Sequence, residues 1–472
     1  MKRLFQLLLS FVALVASSYF NAANAQSALQ VIPSDASIVA LVDTEKICSL
    51  ADISTTDLVK MLDSNNSPIF GILSSLVSGD ADYLYRNKPW CLCATPHAEG
   101  AMLILEVKDG KGLKRYFQQQ AKSNDSISFY KESHCFGCYD SHSALLSDGR
   151  VMIVVAADTS TEGLDFMEYL EVFGLGNDCF ASCDVAETLL NSRGELRVAL
   201  NGQHFKSKDG EDIAPDGIFA IIGIETNKNK TNINLSAIAT TPESQEYLSS
   251  FNAKQIPIKG SLLKYIPSTA GAVVVGGANN ASKSEIAMPP LDGILGDTNI
   301  INGFRFLEVF ARVEGDIVLY FDKGQNETSN SLPITLICET KDSSIIDTIT
   351  QISETQWQAK GNGYVGEIGF MPLYVSYNKG VFAISNSRDV TTLREESSPK
   401  KIDISPNASL YADIDNNTMS DMLSEWSMMA SVVSSQFQIK RIKINMSGEN
   451  QNNVEITFND NKNLYQVFTI SK

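Results

Sequence analysis

The chain contains an internal repeat, and this limits its architecture more than any single motif does. Ile32-Pro33-Ser34, followed by Ala36 and Val39, recurs as Ile266-Pro267-Ser268, Ala270 and Val273, an offset of 234. Leu103-Ile104-Leu105-Glu106-Val107-Lys108-Asp109 recurs as Leu336-Ile337-Cys338-Glu339-Thr340-Lys341-Asp342, an offset of 233. Two apolar, strand-like runs at nearly one spacing predict two halves of like fold, each burying its own pattern.

The elements within each copy are read from periodicity. In the first, Ser37 to Val42 reads as a buried strand. From Ser67, the residues Ile69, Phe70, Ile72, Leu73, Leu76 and Val77 have helical spacing. Trp90 to Ala94 and Ala101 to Val107 read as strands, Gly112 to Ala121 as a helix, and Ser128 to Tyr139 and Ser143 to Ala156 as strand-rich. Asp148-Gly149 is a two-residue hairpin signal. A helix is expected over Thr161 to Phe173, then strands over Leu196–Asn201, Ile218–Glu225 and Asn232–Ile238, then a helix from Pro242 to Phe251. The second copy repeats the order, with strands at Ala272–Val275, Ile317–Phe321 and Pro333–Glu339 and a helix at Ile345–Ile352. A hairpin over Asn378-Lys379-Gly380 and strands at Leu410–Ile414, Gln438–Asn445 and Asn453–Phe458 complete it. Runs of antiparallel strands with interspersed helices predict an α+β class: two tandem homologous domains of mainly antiparallel sheet with packed helices. The expected boundaries are a first domain over 26–253, a Pro/Gly linker over 254–262 and a second domain over 263–472.

Residues 1–25 read differently. Lys2 and Arg3 precede an apolar run from Leu4 to Ala16, and Ala23-Asn24-Ala25 closes it. That is the pattern of a secretory signal peptide cleaved after Ala25. The run falls short of the roughly 20 residues that a spanning helix needs, and the first cysteine is Cys48, too far on to accept a lipid. The expectation is a soluble periplasmic or secreted protein without a transmembrane segment. The formal charge of -17 argues against nucleic acid as a partner and against anionic membrane surfaces.

The opening Ile32-Pro33-Ser34-Asp35-Ala36-Ser37, the strand after it, and the strand-Lys-Asp-helix unit from Ile104 to Leu113 resemble a domain-of-unknown-function family of exported proteins and lipoproteins of Gram-negative bacteria. The resemblance implies export and duplicated α+β halves. It carries no catalytic residue onto this chain, and the lipidated cysteine of the lipoprotein members has no counterpart here.

Chemistry-bearing residues gather in the first copy, which holds seven of the eight cysteines and all four histidines. Cys91, Cys93 and His97 form C-x-C-x3-H; His134, Cys135, Cys138 and His142 form H-C-x2-C-x3-H; Cys179 and Cys183 form C-x3-C. In an exported chain, an even cysteine count reads first as disulfides, with Cys91, Cys93, Cys135, Cys138, Cys179 and Cys183 as candidates. The Cys135–Cys138 segment is the expected partner of Cys91 and Cys93. The alternatives are a mixture with free thiols, and a metal site from Cys91, Cys93, His97, His134, Cys135 and Cys138, since thiolates and imidazoles at short spacing suit tetrahedral zinc. The second copy forms the strand equivalent to Trp90–Ala94 with Val318 and Tyr320, so that strand does not require sulfur. Cys338 aligns with Leu105 and reads as an apolar substitute.

No phosphate-binding loop, G-x-S-x-G, H-E-x-x-H or dinucleotide fingerprint occurs. Asp413 and Asp415 are expected on a solvated strand face, and Met422, Met428, Met429 and Val432 in a core. The resulting expectation is an exported, non-enzymatic scaffold without a cofactor, acting on an envelope protein or ligand. A metal- or thiol-dependent enzyme using the first copy's cluster is the alternative.

Overall fold

The computed structural model describes residues 26–63, 67–95, 101–156, 169–205, 214–278, 312–322, 334–351, 356–368, 371–415, 439–447 and 452–470. Two compact units emerge: one from the chain up to Leu248 together with Phe458–Lys472, the other from Ser249–Thr457. The class is α+β on a large antiparallel sheet, with nine α-helices and twenty strands among the described residues. No helix among them is long and apolar enough to cross a membrane.

The first unit opens with α1 (Gln26–Leu29) and β1 (Ile38–Val42). Then come α2 (Thr44–Ala51), α3 (Thr55–Leu62), α4 (Pro68–Ser78), β2 (Trp90–Ala94), β3 (Ala101–Glu106) and α5 (Gly110–Ser123). β4 (Ser128–Lys131), β5 (Phe136–Tyr139), β6 (Ser143–Ser147) and β7 (Val151–Ala156) follow as hairpins. α6 (Asp184–Asn191), β8 (Leu196–Asn201), β9 (Ile218–Asn227), β10 (Lys230–Ala239) and α7 (Pro242–Ala253) complete the run. Pairing is antiparallel throughout, in the order β10-β9-β8-β1-β2-β3-β7-β6-β5-β4.

Strand alternation gives the sheet two apolar faces. Ile38, Ala40 and Val42 face a core shared with Ile47, Leu58, Leu73, Leu113 and Phe117 from α2 to α5. Val39 and Leu41 face a second core shared with Leu29, Ile32, Phe180, Val185 and Leu189. Because both sides of β1 are covered, its Ile-Val-Ala-Leu-Val run is apolar without interruption. Truncating one fully buried member, such as Leu73, would cost about 2–5 kcal/mol.

The second unit has β11 (Ala272–Gly277), β12 (Asp316–Phe321), β13 (Ile334–Glu339), α8 (Ile345–Thr350), β14 (Gln358–Lys360) and β15 (Gly363–Ile368). β16 (Met371–Asn378), β17 (Val381–Ser385), β18 (Ala408–Asp415), β19 (Ile439–Ser447) and β20 (Asn452–Phe458) follow, and the chain then returns to the first unit with α9 (Leu464–Ile470). The order is β20-β19-β18-β11-β12-β13-β17-β16-β15-β14, which is the first unit's order with ten added to each number. The register agrees as well: Leu103 lies opposite Leu92 and Val154, and Leu336 opposite Leu319 and Ile384.

Individual hydrogen bonds recur too. The Phe180 N–H donates to the Ile32 carbonyl at 2.7 Å, and the Lys400 N–H donates to the Ile266 carbonyl at 2.9 Å. Pro33 bridges Cys179 as Pro267 bridges Pro399. The hairpin signals also match: Gly149 takes φ +91°, and Lys379-Gly380 take +49° and +84°, the left-handed values that such tight turns require.

Two expected boundaries need correction. The stretch 254–262 is not a free linker but a bound part of the second unit. Ile258 N–H donates to the Ala408 carbonyl, and the Lys259 and Ser261 N–H groups donate to the buried Asp316 carboxylate at 2.7 and 3.0 Å. Nor does the second domain run to 472. Asn463 caps α9 by accepting from Tyr465 and Gln466 N–H groups and donates to the Leu50 carbonyl, and Tyr465 is buried in the first unit's core. A polar linker pattern or a terminal position says nothing about which distant carboxylate or core will receive the segment. Residues 1–25, with the expected signal peptide, and the part of Thr161–Phe173 up to residue 168 lie outside the described residues. Glu171–Gly174 forms a single 3-10 turn.

Candidate functional site

The stretch between β1 and β2 folds as three short helices, and their ends build a pocket. Asp43 starts α2 by accepting from the Lys46 N–H at 3.2 Å. Ser54 and Asp57 form a reciprocal capping box at the start of α3. Ser67 and Pro68 start α4, and Gly79 ends it in the left-handed conformation. A Cβ at Gly79 would lie 2.3 Å from a guanidinium nitrogen of Arg86. The missing side chain therefore leaves room for Arg86 over the C-terminal end of α4, where the helix dipole favours a cation.

The pocket has a volume of about 340 Å³, at the small end of the range for ligand sites. Val77, Leu84, Trp90 and Leu105 give it an apolar lining; Glu45 and Arg86 add one charge of each sign. Thr44, Ser54, Thr55, Thr56 and Ser78 supply hydroxyls. Trp90 is only 3% exposed, whereas Tyr85 presents its ring to solvent at 41%. Arg86 stands 3.9 Å from Asp82 and half exposed, a contact too loose and too wet to immobilise it. No ion pair to Glu45 is found among the described residues. The lining thus joins an apolar bed to two opposite charges that remain accessible.

Beside it lies a buried ionic cluster. Glu195, fully buried, accepts from the Thr226 N–H at 2.5 Å and from Lys46 Nζ at 3.3 Å. Burial pushes its carboxyl up to about 8, against the lowering pull of Lys46 and the Thr226 N–H. Arg197, also buried, donates to the Leu190 carbonyl, and burial lowers its guanidinium against the raising effect of Asp43. Lys46, Thr226 and Leu190 tie these groups into the fold, so the cluster acts as internal structure.

The sequence-derived cysteine and histidine sites come out differently. All eight cysteines are free thiols. Cys91 and Cys93 do share one face of β2, packed with Met102 and Ile104. Cys138 sits on β5 in the opposite core. Three strands separate β2 from β5, which places them roughly 19 Å apart at the usual strand spacing. A disulfide needs Cα atoms within about 7 Å, so the expected meeting of Cys91 or Cys93 with Cys135 or Cys138 is corrected. Hairpin order in sequence gave neighbours; the sheet inserts β3, β7 and β6 between them.

His134 is exposed, His97 lies outside the described residues, and among the described residues no three His, Cys, Asp or Glu side chains converge as a metal site. Burial raises Cys91 well above the usual thiol range and Cys93 to about 12, and raises Cys138 as well. These sulfurs are therefore held as neutral thiols, poor nucleophiles and poor ligands. Cys179 and Cys183 flank a 3-10 turn, and the Cys183 thiol donates weakly to the Cys179 carbonyl at 3.9 Å.

Asp413 also departs from expectation. It is 1% exposed and accepts a bidentate pair from Arg441, both bonds at 2.6 Å, with Lys400 at 4.0 Å. The solvated-face reading fails because the neighbouring strand β19 supplies Arg441, which pairs with the buried carboxylate. The residues Met422, Met428, Met429 and Val432 lie outside the described residues.

No family model and no curated protein matches the chain. Among solved structures, TP0453 in crystal form I aligns with 49% of this chain and 88% of its own, at 11% identity and a TM-score of 0.28. TP0453 in crystal form IV aligns with 50% of this chain and 91% of its own, at 12% identity and a TM-score of 0.27.

The sequence reading missed the pocket. Its signals were present in the Ser54-x-x-Asp57 capping box and in Gly79, but two eight-residue helices give little periodicity. Their convergence beneath Trp90 is a tertiary fact.

Proposed function

We propose that this chain is an exported, soluble, non-catalytic protein of two homologous α+β domains, in which the pocket of the first domain captures a small ligand. Homology of the halves is supported by the shared strand order and register and by the recurrence of the same loop hydrogen bonds. Export to the periplasm or beyond is supported by the charged, apolar and A-x-A pattern of residues 2–25, and agrees with the resemblance to exported proteins of Gram-negative bacteria.

The observation that carries the binding reading is the pocket, where a nearly buried tryptophan and three aliphatic side chains adjoin an accessible guanidinium and carboxylate. Apolar lining with a few placed polar groups is the usual composition of a ligand site. The strand thiols Cys91 and Cys93 favour this reading over a thiol-dependent enzyme, because burial holds them neutral.

The test is a thermal-shift screen of the mature protein against small metabolites, repeated with Thr56→Trp, which fills the rim. Binding that raises the melting temperature of the native protein and is lost in the rim variant supports the reading. A screen spanning acids, amines, amino acids and sugars with no shift, or shifts unaffected by the rim variant, overturns it. Fractionation tests the location: a mature N-terminus at Gln26 in the soluble envelope fraction is expected, and an intact Met1 would refute export.

A further inference from the structure

Given that the pocket binds a small ligand, on which this rests, we infer that the ligand is a free α-amino acid with an apolar side chain. Charge decides the class. The pocket presents one cation, Arg86, and one anion, Glu45, and no further ionisable side chain except the Tyr85 phenol. A carboxylate alone would satisfy Arg86 but meet Glu45, and an amine alone would satisfy Glu45 but meet Arg86. A zwitterion satisfies both, and planar guanidinium is suited to holding a carboxylate by two parallel bonds.

The long-range field points the same way. A chain of net charge -17 repels small anions before they reach the site, while a neutral zwitterion feels no net repulsion.

Size and surface supply the rest. Val77, Leu84, Trp90 and Leu105 form a bed for one aliphatic or aromatic side chain. About 340 Å³ holds one amino acid and leaves little for a longer peptide. Arg86 is a positioning element as well as a contact, since Gly79 leaves the space in which its guanidinium lies. A neutral sugar is the weaker fit, because it leaves both charges without a counterpart, and the exposed aromatic ring of the lining, Tyr85, already has Lys88 Nζ 4.9 Å from its centroid.

The experiment is isothermal titration calorimetry of the mature protein, with Trp90 fluorescence as a second readout. The probes are L-leucine, L-phenylalanine, phenethylamine, 3-phenylpropionate and glucose. Expected are binding of at least one of the two amino acids and at least tenfold weaker binding of the amine and the acid. Arg86→Gln and Glu45→Gln should each weaken the amino acid at least tenfold while the unliganded protein still unfolds in one cooperative transition. Gly79→Ala, which displaces the guanidinium, should weaken it in the same direction.

Glucose or 3-phenylpropionate binding as tightly as the amino acids, with loss in Thr56→Trp, overturns the amino-acid assignment and leaves the pocket reading standing. Binding of amino acids that survives both charge variants also overturns it. Failure of all five probes, together with a blank metabolite screen, overturns both.

Discussion

β2 and β12 occupy the same place in their units, and their central side chains are chemically unlike. Cys93 lies opposite Val39 where Tyr320 lies opposite Val273, and Cys91 lies opposite Leu41 where Val318 lies opposite Val275. All four are buried on the corresponding face. A pair of thiols in one unit therefore does the packing that a valine and a tyrosine do in the other. The comparison assigns the sulfurs to volume filling, because the backbone pairing is the same with and without them. Elsewhere on the same face the units diverge in polarity: β8 presents Ala199 opposite Val39, whereas β18 presents Asp413 opposite Val273. There the second unit adds Arg441 and Lys400, whereas the first has Arg197 two residues along β8, donating to the Leu190 carbonyl.

The largest effect is expected from forcing the second unit's solution on the first. Ala199→Asp would bury a carboxylate whose neighbouring cation on that face of β8, Arg197, already donates to the Leu190 carbonyl, and urea unfolding should show a loss of about 3 kcal/mol or more. A loss below about 1 kcal/mol would mean that the first unit already holds a compensating cation. Next comes Arg441→Met, which leaves the buried Asp413 with Lys400, at 4.0 Å, as its remaining ion-pair partner among the described residues. A cost of about 3 kcal/mol is expected, largely recovered when Asp413→Ala is added. If the double variant is no more stable than the single one, the pair is not the source of the penalty.

A smaller, pH-dependent effect should come from Glu195. Its folded-state value of about 8 lies above the ordinary 4.5. Between those values the unfolded chain ionises this group and the folded chain does not, so its contribution to stability falls as pH rises from about 4.5 to 8 and is constant outside that window. Glu195→Gln should flatten that part of the melting-temperature profile. An identical profile would remove the carboxyl as its cause.

The smallest effect is expected for the thiols. Cys91→Val copies the second unit and should change stability by less than about 1.5 kcal/mol. Alkylation of the native protein should mark the half-exposed Cys183 well before Cys91, Cys93 or Cys138, whose burial disfavours the thiolate. Rapid native labelling of Cys91 would contradict the packing role.

Much of this molecule follows from local pattern. The strand runs of both copies, the helix from Ser67 and the Asp148-Gly149 turn are legible because strand alternation, helical spacing and a left-handed glycine are properties of neighbouring residues. The offsets near 234 likewise mark Leu103 and Leu336 as equivalent, since a repeated sequence meets the same local demands twice.

What neighbouring residues cannot encode is which strands come between two others, or which distant group meets a buried charge. Only the tertiary structure separates Cys91 from Cys138 by three strands, gives Asp413 its arginine and brings α9 into the first unit's core. It alone sets Arg86, Glu45 and Trp90 around one pocket. The physical reason is that burial and charge pairing depend on long-range packing, where a residue's energy is decided by partners tens or hundreds of positions away.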